Sequence, residues 1–189
     1  MQIIKNFSKS IRFTLHIASI TLAIIAIVFL FTKQLFIGDG SMINHYEIYT
    51  KQPVDFTILG TVDFSKIFIE FSEKHTQVNQ IINFTSQNLS AANSLKIVAI
   101  LIMVFCGLTL VSQLFNIRDY AIFASSLLTI ILMVVLENIA IRNFADVGLI
   151  TAHSEQFVTI IILLAISAFV ILLEIVVKFL TLQKTNNEN

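Results

Sequence analysis

The sequence predicts an all-α integral membrane protein: a four-transmembrane-helix bundle with an extracytoplasmic amphipathic helix extending from the second span. Three observations carry that expectation. Of 189 residues, 56% are hydrophobic and only 13% charged, against roughly 45–50% and about 25% in soluble domains. Four apolar runs are each about long enough to cross a bilayer core of ~30 Å at ~1.5 Å of rise per residue. Between the first two runs lies a polar stretch whose apolar residues change to helical spacing.

Residues 1–12 form a basic start with Lys5, Lys9 and Arg12. The first span, residues 13–32, follows it directly. A basic start before an apolar run also describes a signal peptide. This run is longer than the usual h-region of roughly 7–15 residues and no A-x-A-like site follows, so it reads as a retained anchor. Residues 33–96 are then an extracytoplasmic loop of mixed charge. Gly38-Asp39-Gly40-Ser41 is a turn signal. His45 to Thr50 and Val54 to Ile58, on either side of Pro53, alternate in the manner of short strands or extended segments.

From Asp63, a reasonable N-cap, the period becomes helical. Phe64, Ile67, Phe68, Phe71, Val78, Ile82 and Leu89 line one face, and Lys66, Glu70, Glu73, Lys74, Gln77 and Gln80 the other. An amphipathic helix over about 63–92 is expected, continuous or nearly coaxial with the second span, residues 97–115. Its apolar side needs a cover: the front of the loop, the membrane surface or a neighbouring subunit. Phe64, Phe68, Phe71, Val78 and Ile82 are therefore the candidate partner-binding face. After a tight connection, residues 120–141 form the third span. Residues 142–156 are a short outer loop, 157–180 the fourth span and 181–189 a polar tail. Basic residues in short flanks place both termini in the cytoplasm of a bacterial inner membrane.

Composition also excludes function classes. The formal net charge is +0 with basic residues scattered, which argues against a nucleic-acid partner. Cys106 is the single cysteine, which rules out an internal disulfide and a cysteine-based zinc site. No Walker loop, nucleophile elbow, His-Glu-x-x-His or dinucleotide fingerprint occurs, and no cofactor, metal or enzymatic activity is expected.

Polar residues within spans are the remaining candidates, since burying them in lipid is expensive unless they find a partner. Glu137 has Met133 and Ile141 as its neighbours four positions away, so its own helix offers no cation there. It is either a proton- or cation-binding carboxylate in a membrane path, or an interfacial group that is hydrated or paired with Arg142 or a loop lysine; the second reading is favoured. Glu174 and Lys178 are spaced for a helical ion pair. His16 sits about one turn into the first span, where it shares a depth with Glu174, as an interhelical hydrogen-bonding residue or a proton shuttle. Together His16, Glu137, Glu174 and Lys178 form the candidate ion or proton path. Cys106, Thr109, Gln113 and Asn116 on one span, and His16, Ser19, Ala23 and Ala26 on another, read as packing seams.

The layout resembles that of the immunity proteins against pore-forming colicins, which are four-span inner-membrane proteins with a long first outer loop. Arg142-Asn143-Phe144 at the second outer loop is reminiscent of that group. The layout is also similar to the uncharacterised YqhA-type tetraspan proteins. Both comparisons rest on the order and length of the spans, and no residue role is carried over. Three functions are compatible with the sequence. The leading one is a non-enzymatic accessory or oligomeric subunit of a membrane assembly, whose partners are the bilayer and either copies of itself or another membrane protein. The others are an oligomeric ion channel or ion-coupled component using Glu137, and an immunity-type protein. The surroundings of Glu137 separate the first two: a wet axis favours the channel, loop residues favour the scaffold.

Overall fold

The computed structural model describes residues 2–74, 86–115 and 119–186. It is 84% helical, and four of its helices are long and apolar enough to cross a membrane. Helix α1 (Gln2–Thr32) leads to strand β1 (Phe36–Ile37) and helices α2 (Gly40–Thr50) and α3 (Ile58–Lys74). Helices α4 (Ser86–Leu114) and α5 (Asp119–Phe144), strand β2 (Ala152–His153) and helix α6 (Glu155–Asn186) complete the chain. The protein is thus a membrane-embedded helical bundle.

The spanning helices form a ring in which each neighbour runs antiparallel to the last. α1 packs closely on α6, α6 on α5 and α5 on α4, while α4 and α1 touch only lightly. Inward positions repeat at helical spacing: Ser19, Ala23, Ala26 and Leu30 on α1, and Leu95, Ala99, Ile102 and Cys106 on α4. The same holds for Ser126, Thr129, Met133, Leu136 and Ala140 on α5, and for Phe157, Ile160, Leu164 and Ile171 on α6. The outward positions, such as Ile24, Val28, Val104, Leu108, Ile131 and Ile162, are exposed apolar side chains, as a lipid-facing surface requires. Gln2 and Asn186 lie at one end of the ring, and the connections that carry β1 and β2 lie at the other.

At that loop end the two connections are laced into one cap. β1 and β2 pair antiparallel, with Phe36 opposite His153 and Ile37 opposite Ala152. Backbone hydrogen bonds run from Asp39 N to Gly148 O, from Thr151 N to Ile37 O and from Leu35 N to Phe56 O, each 2.8 Å. Gly148 has φ +70, a left-handed conformation that glycine adopts without strain.

Three local expectations are corrected here. Residues 45–50 are helical instead of extended, because Asp39 caps α2: its carboxylate accepts from the Ser41 N–H at 2.9 Å and the Ser41 hydroxyl at 2.8 Å. Those donors hold the Asp39 carboxyl below its ordinary pKa. α2 also buries Tyr46, and burial pushes its phenol pKa up.

Helix α3 starts before Asp63. Its cap is Thr57, whose hydroxyl accepts from Gly60 N at 3.1 Å, while Asp55 accepts from the Thr57 N–H and hydroxyl at 2.8 and 3.0 Å. Gly60 fits this turn because a Cβ there would lie 2.3 Å from the Asp55 carbonyl oxygen.

The third correction concerns the relation of α3 to the second span. α3 is not coaxial with α4 but packs along its side, where Ala91 and Ala92 of α4 are buried and small enough to allow close approach. α4 itself begins at Ser86, well before the apolar run. Burial of α3's apolar side drives this arrangement, at about 1.5–3 kcal/mol for each Phe removed from water.

Candidate functional site

Phe64 and Phe68, the first two residues of the expected partner face, are 3% and 1% exposed. Their cover is the chain's own loop and α5. Tyr46 of α2 lies 5.5 Å from Phe64 and 6.5 Å from Phe68, ring centroid to ring centroid. Phe144, the last residue of α5, meets both rings edge-on at 5.7 and 5.3 Å. Of the three covers open to this helix, the front of the loop is the one found here, and these two side chains are core. The side chain of Phe71, together with Val78 and Ile82, lies outside the described residues. The charged side of α3, with Asp63, Lys66 and Glu70, is exposed.

The aromatic contacts continue through the cap. Phe56 packs on Phe64 at 5.4 Å and on Phe36 at 6.4 Å, and Phe36 reaches Phe157 of α6 at 5.8 Å. Asn88 at the start of α4 donates to the Asn143 carbonyl. The Arg142-Asn143-Phe144 segment therefore fastens α5 to both α3 and α4.

Glu137 lies one to two turns below that segment, on the side of α5 that meets β2. Its Oε1 is 2.5 Å from His153 Nδ1, with side chains 24% and 44% exposed respectively. The partner is a loop histidine, where hydration, a loop lysine or Arg142 was expected; Arg142 is exposed and forms no ion pair with Glu137 among the described residues. His153 is placed by the β1–β2 pairing, and its ring lies against Phe157 at 6.0 Å. Nothing in the spacing of residues 137 and 153 signals this contact, which depends on how the second loop folds back.

At the terminal end, the expectation that His16 and Glu174 share a depth is met: Nδ1 and Oε2 are 3.3 Å apart across α1 and α6. The Ser167 hydroxyl donates to the Ser19 carbonyl at 3.1 Å along the same seam. Glu174 and Lys178 do not pair with one another. Lys178 Nζ reaches Asp119 Oδ2 of α5 at 2.5 Å, and Asp119 is 8% exposed. The interhelical partners win because two carboxylates stand inside the bundle, and each needs its own donor to offset desolvation. Asp119 was legible as part of a connection, but its inward direction follows only from the helix starting at that residue.

The two ends are chemically distinct. From the cap down to Cys106, Met133 and Leu164 the interior is one continuous apolar cluster. Beyond it the inward positions include the polar Thr109, Ser126, Thr129 and Ser167 and the ion pairs, beside the apolar Ile122, Ala168 and Ile171. Thr109 and Ser125 join hydroxyls across α4 and α5 at 2.8 Å. Read through the helix register, Glu137 stands about 20 Å from the level of Glu174, with the apolar cluster between them. The four residues of the expected path are thus divided: Glu137 lies at the loop end and His16, Glu174 and Lys178 lie together at the terminal end, with the Thr129, Ser126 and Thr109 hydroxyls at intermediate depths. No group of three or more metal-ligating side chains occurs among the described residues. No family model, curated protein or solved structure matches the chain.

Proposed function

We propose that this protein is a non-enzymatic tetraspan subunit of an inner-membrane assembly, present in several copies or as an accessory to another membrane protein. The observation that carries the reading is the engagement of Glu137 by His153. That carboxylate is engaged by a residue of the loop cap, which favours a structural role over an ion path. The apolar cluster beneath it supports the same reading, because an ion entering it would lose its hydration without replacement ligands. Side-by-side contacts in such an assembly use the exposed apolar faces of the four helices, where van der Waals packing between helices drives association.

The orientation proposed is termini inside, with the cap and the charged side of α3 in the extracytoplasmic space. Lys9, Arg12 and Lys178 then flank the inner face, and the short outer loop presents Arg142, in keeping with the positive-inside bias. The test is the mass of the protein extracted with its own lipid in polymer-bounded discs. More than one copy of the 21.2 kDa chain, or a second membrane protein in fixed ratio, is the expected result. A single chain alone would contradict it.

A further inference from the structure

We propose that the loop cap carries a pH-sensitive latch, closed when His153 is protonated and paired with Glu137 and loosened when the imidazole is neutral. The pair sits where the second loop meets the bundle. Glu137 belongs to the spanning helix α5, and His153 belongs to β2, the strand that ties the second loop to the first. One contact of 2.5 Å between Nδ1 and Oε1 joins them. The backbone bonds that lace the two loops flank it on both sides. Thr151 N donates to Ile37 O at 2.8 Å just before His153, and Ser154 N donates to Leu35 O at 2.9 Å just after it.

The surroundings make the charge of this imidazole matter. Histidine ordinarily exchanges its proton between about pH 5 and 8. With 44% of its side chain exposed, His153 trades that proton directly with bulk water. Its ring rests against Phe157 at 6.0 Å, and the strand partner of His153 is Phe36; neither phenyl ring competes for the carboxylate. The charged groups on the surrounding elements are Arg142 on α5, Lys96 on α4, Glu155 at the start of α6, Lys33 after α1, and Asp39 and Asp146 in the loops. None of them forms an ion pair with Glu137 or His153 among the described residues.

The sign follows from the proton. An imidazolium gives the carboxylate both a donor and an opposite charge, the shorter and stronger kind of hydrogen bond. Loss of the proton leaves a neutral N–H at Nδ1 or, in the other tautomer, a lone pair facing a lone pair. The stabilisation is therefore present in acid and lost as pH rises through the imidazole range. Partial exposure of both groups holds it to the scale of a surface pair. What it controls is the seat of β2 on α5 and, through β2, the lacing of the two loops. That the latch reads the extracytoplasmic side rests on the orientation proposed above. The latch itself lies within one chain, so a single copy in the discs would leave it standing.

The experiment is hydrogen exchange of the full chain in a neutral detergent at about pH 5.5 and pH 8, corrected for the intrinsic pH dependence of exchange. Protection of the Thr151 and Ser154 amides is expected to be about two- to fivefold greater at the lower pH. His153→Asn, which keeps an amide donor near the place of Nδ1 without the charge, should show the same corrected protection at both. His45→Gln, on the exposed side of α2, should respond as the wild type does. Should His153→Asn fail to fold, Glu137→Gln removes the counterion from the other partner and should flatten the response equally. The proposal is overturned if corrected protection in the wild type is equal at the two pH values or greater at the higher one. It is also overturned if His153→Asn keeps the wild-type response, which would assign the pH dependence to another group.

Discussion

Replacing Phe144 with alanine is expected to destabilise the protein by about 3–5 kcal/mol and to loosen the cap selectively. Phe144 is 0% exposed and closes edge-on against Phe64 and Phe68, so truncation opens a cavity where α2, α3 and α5 meet. Hydrogen exchange should quicken along α2 and α3, while the α1–α6 seam keeps its protection. Phe144→Leu, which retains most of the volume, should lose much less. A double-mutant cycle between Phe144→Ala and Phe68→Ala should return a coupling of about 0.5–1.5 kcal/mol. Equal exchange in all helices after Phe144→Ala would mean that the cap is not a unit fastened at this residue.

Gly38→Ala is the second large effect. A Cβ at Gly38 would stand 2.1 Å from the Leu149 carbonyl oxygen and 2.8 Å from Ile43 Cδ1. The first of these is backbone, so the second loop itself has to move away. Overpacking of this kind costs roughly 1–3 kcal/mol, and here the displaced strand also carries the Asp39–Gly148 and Thr151–Ile37 hydrogen bonds. The amides of Asp39 and Thr151 should therefore lose protection together. Gly40→Ala is the matched control: nothing lies within 4 Å of its Cβ position, and its stability should be unchanged or slightly improved. If both substitutions behave alike, the two loops are not laced as described.

These two residues also mark where the sequence is and is not informative. The spans were legible because lipid imposes a long apolar run on any helix that crosses it, whatever its neighbours. The inward stripes of small and polar residues, such as Ser19, Ala23 and Ala26, were legible for the same reason. His16 and Glu174 could be matched in depth because both lie on helices anchored at the same membrane face. The cap was not legible. Phe64 and Phe68 have the spacing of an exposed sticky face, and only the fold of a separate segment, α2 with Tyr46, makes them core. The alternation of residues 45–50 suggested a strand or an extended segment, but one carboxylate at Asp39 was enough to start a helix there. Glu137 and His153 meet through β1–β2 pairing, a non-local event that carries no period. Lys178 had a suitable carboxylate at Glu174 on its own helix, and lost it to His16 because the interhelical arrangement satisfies both carboxylates.

We propose that Glu137 helps to fasten the cap and that the bundle passes no ions through itself. The measurement that tests it most directly is proton and potassium flux into liposomes holding wild type or Glu137→Gln, with the melting temperature of each followed alongside. Flux no greater than in protein-free liposomes is expected for both, with a lower melting temperature for Glu137→Gln as the contact with His153 weakens. Flux through the wild type that Glu137→Gln abolishes, with no change in melting temperature, would contradict it.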